Sequence, residues 1–505
     1  MTLTENSSDI LLVTLNARYS HASLGLRYLQ ANLGELQASS SILELVIAAS
    51  SGMTTETMLE KILAKNPKIV GFGVYIWNID ETTRLVAQLK RVAPNIVVVI
   101  GGPEVSFVND APAINALADY VVTGQADESF KTLCETLLSG SKVGLPLNRV
   151  VVASNPELAD LTLPYYLYTD DDLKHRHIYI EASRGCPFKC EFCLSALDKT
   201  AWPFELTKVL AELEALYQRG LRRFKFVDRT FNLKATVSQA ILQFFLNKIT
   251  NDENHTLFVH FELVPDHLPD SLKTAIAAFP AGVLQFEIGI QTWNPTIQAL
   301  ISRRQDNEKA ATNIAWLSRE AHAHLHVDLI VGLPGETIES FGEGFDKLYE
   351  LEPHEIQIGI LKRLRGAPID RHTAAFEMVY NPAAPYNVLS TSVISFAQMQ
   401  RMQRFARYWD MFANSGRFQL PMKQLLEGTP FKQMMAFADW LYASTDATHR
   451  LSLARQEQLL HSYLLEAKGI AAKADPPPIP KISAKTSALS RQARHLLTNI
   501  ETNSQ

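Results

Sequence analysis

Cysteine is scarce here, with four in 505 residues and no regular spacing among them. That excludes a disulfide framework and leads us to expect a reducing compartment, the cytoplasm. Long hydrophobic runs are missing too. The longest, such as "NIVVVIGG" at 95–102, fall well short of the ~18 residues a membrane helix needs and read as buried strands. The start, "MTLTENSSDILLVTL", has no basic stretch ahead of its apolar one, so it does not read as a secretory signal. Positive charge is not in excess: 48 Lys and Arg against 53 Asp and Glu give −5. A nucleic-acid-binding surface is therefore not expected. What is left, 47% hydrophobic and 20% charged, describes a globular chain too long for one core.

Residues 1–150 alternate short β-rich runs with amphipathic helical patterns. The strand candidates are "DILLVTL" (9–15), "LELVIA" (43–48), "KIVGFGVYI" (68–76), "NIVVVIGG" (95–102) and "DYVVTG" (119–124). Continuous apolar strands between such helices predict a doubly wound parallel sheet of flavodoxin or Rossmann type. Ligands of such sheets sit beyond the C-terminal strand ends. Attention falls on "NARYSHASLG", on "YIWN" with Tyr75 and Trp77, on "GGPEVS" with Gly101, Gly102, Pro103 and Glu104, and on "GQADES" with Gly124 and Gln125. A connector is expected over 151–175, ending in the turn-like "YTDDDLKH". Six further strand-and-helix repeats over 176–370 predict a partial (β/α)6 barrel, whose working face is again the C-terminal strand ends. Strands then give way to a helical C-terminal domain over 371–475 and to a Pro-rich linker and polar tail over 476–505.

Three of the four cysteines, Cys186, Cys190 and Cys193, stand in "ASRGCPFKCEFCLSA", spaced C-x3-C-x2-C on the loop leaving the first barrel strand. Structural zinc takes four tetrahedral ligands, usually as separated pairs, and no fourth Cys or His is near. An iron–sulfur cubane normally takes four thiolates, so three would leave one iron open to a small molecule. A zinc site completed from afar, or three thiols without metal, are the plainer alternatives.

This spacing, with Phe192 directly before the last cysteine, resembles the radical S-adenosylmethionine (SAM) superfamily. The resemblance implies a [4Fe–4S] cluster whose open iron chelates SAM, with Phe192 beside the adenine. It extends to "HFELVP", "EIGIQTWNPTIQALISRRQ", "DLIVGLPGET" and "FVDRTFN". By it Glu262 gives a polar contact to SAM, Gln291 approaches the ribose, Arg303 pairs with the carboxylate, Asp328 accepts from the ribose hydroxyls and Asp228 lies near the amino group. Ordinary ion pairs of the barrel rim are the plain alternative for Glu287, Arg303 and Arg304.

An α/β domain directly before such a barrel is similar to the cobalamin-binding class of that superfamily, and the loops after the third, fourth and fifth strands become its cobalamin contacts. "YSHASLG" departs from the D-x-H-x-x-G of another cobalamin domain type: Tyr19 stands at the Asp position and Gly25 comes one residue late. His21 is therefore not expected to ligate cobalt from below, and is either a loop histidine or a neighbour of the corrin. "ILKRLRGAP" and "PAAPYNVLS" look like an uncharacterised subgroup with a helical C-terminal domain. There Lys362, Arg363 and Arg365 either bind an anionic substrate or form a solvated loop.

The resemblance implies a cytoplasmic enzyme that methylates an unactivated carbon of a small-molecule or peptide substrate through a 5′-deoxyadenosyl radical and methylcobalamin. Its electron donor would be a flavodoxin or ferredoxin, and the helical domain would close the site against water. Rearrangement, cyclisation or oxidation with the same cofactors is an alternative, as is a non-catalytic cobalamin sensor. Methylthio transfer would need three more cluster cysteines, and only Cys134 remains.

Overall fold

In a computed structural model, the chain is described over residues 7–471, apart from 48–50, 141–142, 146–148, 199 and 252–255, and at residue 473. The linker and tail expected over 476–505 lie outside the described residues.

Six strands build the first sheet: β1 (Ile10–Asn16), β2 (Ser40–Val46), β3 (Ile69–Gly73), β4 (Val97–Gly101), β5 (Tyr120–Thr123) and β6 (Val150–Val152). All pair parallel, in the order β2-β1-β3-β4-β5-β6. Every residue of β1 and β3 is buried because helices cover both faces, which explains their unbroken apolar runs. Strand order reverses between β1 and β3, the position where doubly wound sheets bind ligands. Asn78 of "YIWN" holds that point together. Fully buried, it donates to the carbonyls of Leu15 and Gly73, both at 3.1 Å, and accepts from the Tyr75 N–H at 2.8 Å.

The barrel opens with β7 (Ile178–Ile180). A two-residue ribbon, β8 (Ser183–Arg184) with β9 (Trp202–Pro203), brackets the cysteine loop. Then come β10 (Arg223–Phe226), β11 (Phe258–Leu263), β12 (Leu284–Gln291), β13 (His324–Val331) and β14 (Glu355–Ile360). Strands β7 and β10–β14 pair parallel, in sequence order, as one open curved sheet. Burial alternates strictly along β12 and β13. Leu284, Phe286, Ile288 and Ile290 pack outward against helices, and their alternates face the concave side.

The C-terminal helices, Phe396–Trp409, Pro430–Thr445 and Leu453–Lys468 among them, share the barrel's core. Phe345, on the helix Ile338–Tyr349, stacks edge-on with Phe405 and Trp409 and packs against Phe431. Asn414 donates to and accepts from the backbone of Ile356, satisfying the outer edge of β14.

Four expectations need correction. The boundary at 150 cuts through β6, a strand too short to stand out from the connector. "YTDDDLKH" is helical over Asp170–His175, started by a capping box between Thr169 and Asp172. Strands continue into the C-terminal region as an antiparallel ribbon, β15 (Val379–Tyr380) with β16 (Val388–Ser390). None of the described residues of the helical region lines the cavity at the barrel mouth, where closure was expected.

Candidate active site and cofactor cradles

Beyond the C-terminal ends of β10–β13 lies a cavity of about 230 Å³. Its lining runs from Cys186 to Asp328, so the described C-terminal residues contribute nothing to it. The three clustered cysteines line it with Phe192, Glu262, Gln291, Arg303 and Asp328. The cysteine loop takes its shape from Gly185, with φ +89°, where a Cβ would sit 2.1 Å from the Thr200 carbonyl oxygen. Burial pushes the Cys186 and Cys190 thiols up, and the Arg303 guanidinium, 3.5 Å from Cys190 Sγ, opposes this.

The carboxylates differ in state. His260, 3.2 Å away, holds Glu287 down at about 2. Burial pushes Glu262 up despite its 2.7 Å ion pair with Arg229. Asp328 is pushed well above the ordinary carboxylate range, by burial first and then by Glu287 and Glu262. Its Oδ1 is buried without a hydrogen-bond partner. A buried acceptor left unpaired costs about 1–3 kcal/mol unless a ligand satisfies it. Gln291 adopts φ +69° at a bulge in β12, and Arg303 donates to the Gly289 carbonyl and to Gln305.

Asp228 does not join this cavity. It is buried, accepting from the Ala182 N–H at 2.9 Å and the Ser183 hydroxyl at 2.6 Å, so it ties the ends of β7 and β10 together. Its neighbour Arg229 takes the cavity position.

A second cavity, about 280 Å³, lies between the first sheet and the helices Leu24–Ala31 and Asp127–Leu138. Gly25, Gly71, Gly73, Gly101 and Gly124 line it, so few side chains fill the space there. Gly102 lines it too, at φ +111°, where a Cβ would run into the Val74 carbonyl oxygen. Tyr75, stacked on the half-exposed Trp77 at 4.4 Å, stands at its edge. Gln125 also lines it. Arg184 of the barrel reaches in, pairing with Asp127 and Glu181, both at 2.8 Å.

Other expected contacts are drawn elsewhere. Glu104 is buried and accepts from Arg365 at 2.8 Å and the Tyr386 hydroxyl at 2.6 Å. Pro103 and Trp77 do not line the second cavity. Arg363 pairs with Asp110 and Asp370, and Arg365 with Glu104 and Asp110. These two arginines therefore clasp the two sheets together, and only Lys362 remains exposed without an ion pair among the described residues. His21 lies outside the second cavity as well, its Nδ1 2.6 Å from the Tyr179 hydroxyl.

Three models of known families match the chain: B12 binding domain over residues 10–134, Radical SAM superfamily over 180–348, and a protein of unknown function, DUF4080, over 374–475. The chain thus carries a B12-binding domain followed by a radical SAM domain. Among curated relatives, it is 24% identical over 333 residues to the cobalamin-dependent radical SAM methyltransferase TokK of Streptomyces tokunonensis, across 60% of this chain and 48% of TokK. The chain thus spans about half the length of the curated relatives it matches. The fold is shared with the radical SAM methyltransferase TsrM from Kitasatospora setae, with a TM-score of 0.60 at 17% identity over 78% of this chain and 81% of TsrM. It is also shared with the cobalamin-dependent SAM radical enzyme OxsB, with a TM-score of 0.62 at 12% identity over 98% and 81%.

The B12-binding and radical SAM domains imply cobalamin, a [4Fe–4S] cluster and SAM as the cofactors. The chain's residues fit them. Three cysteines on one loop suit an iron–sulfur cubane, whose thiolates each bind a separate iron. The unpaired Asp328 oxygen in the same cavity suits a hydroxyl donor. The glycine-lined cavity leaves room for part of a cobalamin. Because His21 does not line the glycine cavity, bound cob(II)alamin is expected base-off and unchanged in His21→Ala. Nitrogen superhyperfine splitting that vanishes in that variant would contradict this. No described helix is long and apolar enough to cross a membrane.

Proposed function

We propose that this enzyme methylates an unactivated carbon of its substrate, a small molecule or a peptide, using electrons from a flavodoxin or ferredoxin. The observation that carries the reading is the placing of the two cradles. The cysteine cavity opens at the C-terminal end of the second sheet, and the glycine cavity opens at the C-terminal end of the first. Arg184, on the loop leaving β7, joins them. The methyltransferase name of TokK supports the same reading.

Together the cluster, SAM and cobalamin supply hydrogen removal from an unreactive carbon and a methyl group to place there. The chain supplies position. Asp328 and Arg303, with Gln291, offer a carboxylate, a guanidinium and an amide to the diol and carboxylate of SAM. Misplacing reacting groups costs about 100-fold in rate. Asp328→Ala and Arg303→Ala should therefore keep cluster iron and bound cobalamin yet lose about that factor in 5′-deoxyadenosine formation. Methylation itself is tested by products. With substrate, S-adenosylhomocysteine and 5′-deoxyadenosine should appear in equal amounts, and the product should carry the label of labelled SAM methyl. Turnover that gives 5′-deoxyadenosine without S-adenosylhomocysteine or label would rule methylation out.

A further inference from the structure

A full (β/α) barrel packs its interior with branched apolar side chains. The concave face of this open sheet carries polar ones in register. One row holds Tyr179, Lys225, His260, Gln285 and His324. The next row towards the cysteines holds Glu262, Glu287, His326 and Glu355, and the last holds Gly289, Asp328 and Gln357. The rows are not close-packed: the side chains of Glu287, His326 and Glu355 keep 31, 18 and 31% exposure.

Charge is sorted along this trough. The end at the cysteine cavity is acidic, with Asp328, Glu262 and Glu287. The far end is basic. Phe224 and Phe226 are buried in the core, so Lys225 between them points into the trough. At its side, His21 of the first domain bridges His177 at the start of β7, ring centroids 5.5 Å apart, and meets the Tyr179 hydroxyl. Lys225 makes no ion pair among the described residues. The carboxylate in its electrostatic reach, Glu287, is already engaged by His260. Burial first pushes both imidazoles down, followed by Lys225 for His21 and by His21 and then Lys225 for His177. A half-buried ammonium that makes no direct ion pair, its nearby carboxylate Glu287 already engaged by His260, keeps hydrogen-bond donors free in a low dielectric, and an anion takes them.

We propose that Lys225, His21 and His177, with the Tyr179 hydroxyl, form a site for an anionic group of the substrate, a carboxylate or a phosphate. This rests on the reading of the cysteine cavity as the place of chemistry. It adds that the substrate is acidic and spans the trough, because Lys225 lies two rows, about 13 Å along the strands, below Asp328. The site needs both domains, since His21 comes from the first sheet and Lys225 from the second.

The test uses the full chain loaded with cluster and cobalamin and labelled with ¹³C at histidine Cε1. Inorganic phosphate and glutarate are the probes, and glycerol is the neutral control. The two signals identified by their loss in His21→Gln and His177→Gln should shift with phosphate and glutarate but not with glycerol. Removing a charge-assisted hydrogen bond weakens binding by about ten- to a hundredfold. Lys225→Met and Lys225→Gln should show that loss at unchanged iron content, while Lys225→Arg should stay within a few-fold of the parent. No shift, or equal shifts in the Met and Gln variants, would overturn the site. A phosphate response that disappears on loading cobalamin would overturn its assignment to substrate, because the cofactor's own phosphate would then be the occupant. Unlabelled product with the anion response intact would count against methylation and leave the site standing.

Discussion

Replacing Cys186, Cys190 or Cys193 by Ala is expected to drop iron from about four per chain after anaerobic reconstitution to background. Reductive cleavage of SAM should be lost with it. Cys134→Ala is expected to retain both. The contrast follows from placement. The three clustered cysteines line one cavity on one loop, each thiolate would hold a different iron, and no fourth cysteine lines that cavity among the described residues. Cys134 is wholly buried among Ile10, Leu12 and Phe130 in the core of the first sheet, and burial pushes its thiol up to about 12. It behaves as a small apolar side chain, and its replacement should cost stability only. Iron and sulfide assays together with paramagnetic resonance of the reduced protein read the outcome. Zinc at one ion per chain in protein purified without air would end the cluster reading.

The sequence made some of this legible and concealed the rest for physical reasons. Strands buried on both faces announce themselves as unbroken apolar runs, so β1, β3 and β4 could be placed within a few residues. The alternation along β12 and β13 was just as readable. The three cysteines needed only their spacing. Side-chain direction at strand ends was not readable, because partners there are chosen across the fold. Glu104 sits in "GGPEVS", yet it turns to Arg365, which is 261 residues away. Asp228 looked like a SAM contact, but the free N–H of Ala182 and the Ser183 hydroxyl claim it instead. Arg363 and Arg365 read as a basic loop only because their acidic partners, Asp110 and Glu104, lie far back in the chain. β6 escaped notice because three residues are too few to show a period.

Glu191 was the most consequential residue passed over, since its only local signal was an acid between two cluster cysteines. Its carboxylate is buried and accepts from Ser302, Arg371 and, at 2.8 Å, His372. Its backbone donates to Ile301 at 3.1 Å and accepts from Ile369 at 2.9 Å. It thus fixes the cysteine loop to the turn preceding Arg303 and to the segment that follows the last barrel strand. Removing one partner of a buried pair costs about 3–5 kcal/mol, because the other charges stay behind unpaired. By the same conversion this is roughly a hundredfold or more in the population of the ordered loop. Glu191→Leu is expected to assemble little cluster and to release what it holds on dilution. Glu191→Gln keeps the shape and one acceptor oxygen, and should hold the cluster with an altered paramagnetic resonance signal and a shifted midpoint potential. If the Glu191→Leu variant keeps four irons and an unaltered spectrum, the loop is ordered by its cysteines alone and the Glu191 contacts are incidental. Arg371→Ala separates the two remaining possibilities. Its side chain is 60% exposed, so a pair screened by solvent predicts a small effect, whereas a clasp that depends on both Arg371 and His372 predicts cluster loss approaching that of Glu191→Leu.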